Sequence, residues 1–188
     1  MALKLITGPA AEPISLDEAK LHLRAENGDE EEALISALIT AAREAAEHQT
    51  GRALLEQTWE LALDAFPCEI CLPHPPLIEI VSVTYIDQAG EGQTLEPSAY
   101  VLDAHSEPAR LIPAYGTCWP ATRCQPGAVV VQFKAGYPDA DAVPAGIKQW
   151  MLLQIGAMYE NREAEAMSSF GAVTLGFADR LLDRYKVY

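Results

Sequence analysis

The stretch DEEEALISALITAAREAAEHQT (residues 29–50), followed shortly by QTWELAL (57–63), decides the fold class. In the first, Leu34, Leu38, Ala41 and Ala45 recur at helical spacing and lay an apolar stripe along one side of a helix. The acidic run Asp29 to Glu32 lies at the positive end of that helix dipole. Thr50-Gly51 ends it, since glycine tolerates the left-handed conformation that closes helices. Its many alanines permit close approach by a neighbouring helix, from the same chain or from another subunit. In the second stretch Trp59, Leu61 and Leu63 alternate with Glu60, Ala62 and Asp64, the period of a strand with one buried face. Helix and strand thus follow one another directly, and the expected class is α+β.

Working outward, Ser15-Leu-Asp-Glu18 reads as a capping box that opens a short helix over about Leu16 to Arg24. Asn27-Gly28-Asp29 separates it from the longer helix. Downstream, Pro67, Pro73, Pro75 and Pro76 remove backbone donors and favour an exposed or edge path. A strand is expected over Ile78 to Asp87, with a hairpin loop at Gln88 to Gly92 and a return through Gln93 to Leu95. Shorter strands are expected at Tyr100 to Asp103 and Arg110 to Ile112. A stronger one at Val129 to Lys134 places Val129, Val131 and Phe133 on one face. The middle of the chain is therefore mostly antiparallel sheet.

Pro144 suits the first turn of the last long helix, where its missing N–H costs nothing. There Ile147, Met151, Ile155 and Met158 form one stripe, while Trp150, Leu153 and Ala157 form a second, so this helix should have two neighbours. After an irregular stretch, Phe177, Leu181 and Tyr185 recur every four residues in a short amphipathic tail. The expected organisation is a single domain over residues 1–188. It is helical over 1–54 and β-rich over 55–138, with a long helix at 144–163 and a linker and tail at 164–188. The N-terminal helices and the long C-terminal helix are expected to form a bundle.

Composition narrows the function. Of 188 residues 49% are hydrophobic, enough to bury a core without disulfides or metal. Thirteen Lys and Arg stand against 27 Asp and Glu, a formal charge of -14. Such a surface repels phosphate, which argues against a basic nucleic-acid reader and against an anionic membrane as partner. The apolar start Met1 to Ile6 is too short for a secretory core and runs into Gly8-Pro9, so a soluble cytoplasmic product is expected.

Cys68 and Cys71 have the spacing of a zinc knuckle or redox pair, yet prolines and a strand surround them rather than a helix start. A zinc site would draw its further ligands from His74, Cys118 and Cys124, and the five residues between the last two are too many for a standard knuckle. Incidental thiols are the favoured reading and a small metal-binding protein the rival. His22, His48, His74 and His105 lie beside no nucleophile, Asp139 and Asp141 lack the rest of a calcium loop, and no phosphate-cradling glycine motif occurs. Glu160, Arg162 and Glu163 read as an ion cluster, an interface or a solvated face. No catalytic, cofactor or metal residue is assigned.

The ordered set of segments nevertheless resembles a known family. Pro13 to Arg24, Asp29 to Leu38, Thr50 to Leu54, Gln57 to Leu61, Leu72 to Leu77, Val81 to Asp87, Trp119-Pro120, Phe133 to Tyr137, Pro144 to Met151 and Tyr159 to Arg162 together resemble the phage head-tail connector (adaptor, or head completion) family. The four cysteines stand outside that pattern. The resemblance implies a non-enzymatic structural protein of a tailed phage, prophage or gene transfer agent, assembled in the bacterial cytoplasm and resident at the head-tail joint. It implies a homo-oligomeric ring, dodecameric in the particle, below the portal protein and above a tail-side completion or terminator protein. Genome DNA would pass through without specific binding or cofactor, and a carboxylate-rich lumen would keep it from sticking.

A ring needs a heterologous interface, one surface meeting a different surface of the next subunit. Leu34, Leu38, Ala41, Ala45, Trp150, Leu153 and Arg162 are the candidates. The resemblance also suggests that the C-terminal segment contacts the portal, making Phe177, Leu181, Leu182 and Tyr185 candidate anchors. The alternative is that this stripe folds back on its own core. On the anchor reading, deletion beyond Gly176 leaves a folded protein that no longer binds the portal. Rival functions are a tail-completion or terminator subunit and an acidic DNA mimic.

Overall fold

Ser15 caps the first helix as its neighbours require: its Oγ accepts from the Glu18 N–H at 3.2 Å and the Glu18 carboxylate accepts from the Ser15 N–H at 3.1 Å. In the computed structural model, which describes residues 1–25, 29–161 and 176–187 with the side chains of 29, 30 and 177 excepted, the elements run as follows. They are β1 (Ala2–Thr7), α1 (Leu16–Leu23), α2 (Asp29–Thr50), β2 (Gln57–Leu63), β3 (Ile70–Leu72), β4 (Leu77–Ile86), β5 (Gly92–Thr94), β6 (Tyr100–Asp103), β7 (Ala109–Pro113), β8 (Val129–Ala135), α3 (Ala145–Glu160) and α4 (Gly176–Asp179). The mixed α+β character and the antiparallel pairing match the sequence expectation.

The chain divides into two compact units, residues 1–10 with 56–137 and residues 11–55 with 138–188. The first is all β. Its larger sheet has the order β1-β2-β8-β4-β5 and its smaller sheet the order β3-β7-β6, every pairing antiparallel. The row Leu61, Val131 and Val83 crosses the larger sheet in register, and all three are buried. Ile70, Leu72, Ala109 and Leu111 are the buried residues of the smaller sheet. These alternating side chains, with Phe133 and Ala135, form the core of the unit.

The expected hairpin is present between β4 and β5. Asp87 holds its turn by accepting from the Ala89 and Glu91 N–H groups at 2.9 and 3.0 Å and from Gln93 Nε2 at 3.0 Å. Those donors, the Glu91 N–H foremost, hold the carboxyl below its ordinary pKa. The turn is thus reinforced above the usual carboxylate range and loosens as pH falls through the lowered value.

The second unit contains α1 to α4. Its core is Ile14, Ala19, Ile35, Ile39, Ala42, Ala46, Ile147, Trp150, Met151 and Ile155, with Ala178 and Leu182 from the tail. Lys20 of α1 pairs with Glu32 of α2, and the Tyr159 hydroxyl of α3 donates to Glu31 of α2 at 3.2 Å. The long C-terminal helix expected over 144–163 is shorter, 16 residues, and the 22-residue α2 is the longer element. The α3 helix ends on Asn161, whose N–H and side-chain amide both donate to the Ala157 carbonyl. The expected linker, Ala164 to Gly176, lies outside the described residues except for Gly176.

Candidate assembly surfaces

Two parallel apolar stripes run along α2, offset by one residue. Ile35, Ile39, Ala42 and Ala46 are at most 3% exposed and face the core. The stripe picked out by spacing, Leu34, Leu38, Ala41 and Ala45, lies about 100° around the helix from them. Leu38 is half-buried there, and Leu34, Ala41 and Ala45 are exposed, together with Ala33 and Ala37. In a chain of net charge -14, this helix face of leucine and alanine carries no charge of its own.

The other interface candidates fare differently. Trp150 is 1% exposed, and its indole N–H donates to Asp179 at 3.1 Å. It is a core residue of its own chain with no surface left for a neighbour. Leu153 is half-buried on α3. Arg162 lies outside the described residues.

The tail folds back on its own unit, as the second of the two readings of its stripe has it. Leu182 is 0% exposed and Ala178 is buried with it. The Tyr185 carbonyl accepts from Arg52 Nε at 2.6 Å, and the Val187 N–H donates to the Thr50 carbonyl at 2.9 Å. The Tyr185 ring lies so near Gly146 of α3 that a Cβ there would stand 3.1 Å from it. Leu181 is half-buried, and Phe177 falls within α4. Amphipathic spacing alone cannot distinguish a stripe for a partner from a stripe for the chain's own core, and burial decides for the latter at Leu182.

Arg43 anchors the inner side of α2. It is 7% exposed and reaches Glu12 at 2.9 Å and Glu47 at 2.8 Å, while Glu47 also accepts from the Leu54 N–H at 2.9 Å. One guanidinium thereby ties the chain entering α1 to both ends of the turn after α2. Arg43→Ala removes the guanidinium that Glu12 and Glu47 both contact, and a loss of about 3 kcal/mol in urea unfolding is expected. A midpoint unchanged from the parent would show the cluster to be solvated.

Cys68, Cys71, Cys118 and Cys124 are all exposed free thiols. Among the described residues no three His, Cys, Asp or Glu side chains gather as a metal set. His74 instead stacks on Trp59, ring centroids 4.4 Å apart. No helix among the described residues is long and apolar enough to cross a membrane. Sequence reading missed one surface of the β unit. Val101 and Ile112, cross-strand partners on β6 and β7, are 49% and 40% exposed. Their alternation was legible, but which side of so small a sheet stays open was not.

Residues 13–94 match the family described as Phage gp6-like head-tail connector protein, so this segment carries the head-tail connector signature. The whole chain is similar in fold to solved chains from gene transfer agent particles. One, from the neck of an empty particle computed with C6 symmetry, is 26% identical with a TM-score of 0.82. Two others, from the virion of the native particle and from its neck computed with C12 symmetry, are each 24% identical with TM-scores of 0.79 and 0.77. Each comparison covers 100% of this chain and 96% of the other. No curated protein sequence matches.

Proposed function

We propose that this chain is a non-enzymatic neck subunit that forms a ring below the portal, joins the DNA-filled head to the tail and extends the channel through which DNA leaves. The observation that carries the reading is end-to-end similarity to a neck chain at 26% identity, joined to the connector signature over residues 13–94. Subunits made in the bacterial cytoplasm would meet the portal there and enter the particle at the head-tail joint. The exposed face Leu34, Leu38, Ala41 and Ala45, with Leu153 as the α3 candidate, supplies one side of the subunit contact. The Val101 and Ile112 pair supplies an apolar contact for the tail-side protein.

Light scattering after size exclusion tests this, with the protein alone and mixed with the portal ring of its particle. Stoichiometric attachment, twelve copies to the ring, is expected. A small species that ignores the portal and binds a tail-side ring instead would make it a completion or terminator subunit. A species carrying zinc on its cysteines would overturn the neck reading altogether.

A further inference from the structure

The larger sheet of the β unit has two uncovered edges of matching character. At one end β1 is an outermost strand of six residues, five of them exposed, in regular register from Ala2 to Leu5 with a shift before Thr7 and with Lys4 its one charge. Natural sheets normally blunt such an edge, because its free N–H and C=O groups recruit another strand. At the other end β5 is too short to cover β4. It pairs only with Thr84 to Ile86, and Leu95 reaches Val83, so Leu77 to Ser82 have no strand on their outer side among the described residues.

The two edges are complementary. Each successive pair from β1 through β2 and β8 to β4 is antiparallel, so β4 runs opposite to β1. A β1 from a second copy laid beside β4 would therefore continue the alternation. The faces agree as well. Leu3 and Leu5 lie in register with Leu61 and Trp59, the apolar side that also carries Ile80 and Val83 at the far edge. Leu5 is nevertheless 44% exposed, since nothing lies beyond it. On the opposite face Lys4 lies across from Glu60, and Glu79 is held at 2.8 Å by Lys134, so the charges there are matched within each subunit. Two register shifts, at Ile78 and Val81, interrupt the regular ladder of β4 with β8.

We propose that β1 of one subunit pairs antiparallel with the Leu77 to Ser82 stretch of β4 in the next, so that the sheets join around the ring. This rests on the neck-ring reading and names the contact that closes it. Two different edges form a heterologous interface, which repeats head to tail until rotation closes it.

Hydrogen exchange of the free subunit and of the ring recovered from particle necks tests the pairing. Amides in peptides spanning residues 2–7 and 77–82 are expected to exchange at least ~10-fold more slowly in the ring, because strand hydrogen bonds close them. Leu5→Lys should keep the subunit's thermal midpoint, the side chain reaching water past the edge, while ring yield falls by at least ~10-fold once a neighbour covers it. A ring in which either segment exchanges as in the free subunit, or a variant with parental ring yield, overturns the edge pairing and leaves the neck reading standing. Necks that lack this chain overturn both.

Discussion

A chain ending at residue 175 should lose about 5 kcal/mol of stability in its helical unit, a large share of the ~5–15 kcal/mol typical of a domain. The deletion removes Leu182, which is fully buried, and a Leu→Ala change at such a site alone costs about 3 kcal/mol. It also removes Asp179, leaving the buried Trp150 indole N–H without its acceptor, at about 1–3 kcal/mol. The contacts Arg52 to Tyr185 and Thr50 to Val187 go with it. Trp150 is the only tryptophan in residues 11–55 and 138–188, so its fluorescence during urea unfolding reports on this unit. Leu182→Ala in the full chain should show over half of the loss. A truncated chain with the parental midpoint that fails only to bind the portal would restore the anchor reading.

What was legible in the sequence was local. The capping box, the Asp87 turn and the alternation in β8 each depend on residues within a few positions of one another, and each was read correctly. The strands β1 and β3 were missed for opposite reasons. β1 has the composition of a strand but no punctuation, being stabilised only by β2, some 55 residues away in register. β3 is three residues among prolines and exists because β7 lies beside it. The partition into units was likewise hidden, since residues 1–10 join a sheet whose next strand follows only after two helices. At the candidate surfaces, Trp150 and Leu182 had the spacing of contact residues, but spacing says that a side chain will be covered, not by what.

The two stripes of α2 give that distinction its sharpest test, because adjacent alanines should respond in opposite ways. Ala42 is fully buried, and Ala42→Glu would place a carboxylate in the core, at a cost of several kcal/mol, about enough to unfold the unit. Ala41 is exposed, and Ala41→Glu there costs no more than about 0.5 kcal/mol through helix propensity. In a ring, however, the same carboxylate recurs at every subunit contact, desolvated against a neighbour and close to Glu44 in sequence. A penalty of about 3 kcal/mol per contact corresponds to a fall on the order of 100-fold in association. The expected result is an Ala41→Glu subunit with the parental unfolding midpoint that no longer forms rings or enters particles, beside an Ala42→Glu chain that does not fold. If Ala41→Glu assembled at parental concentration, the outward stripe would not be the subunit contact, and its exposed leucine and alanines would need a different partner.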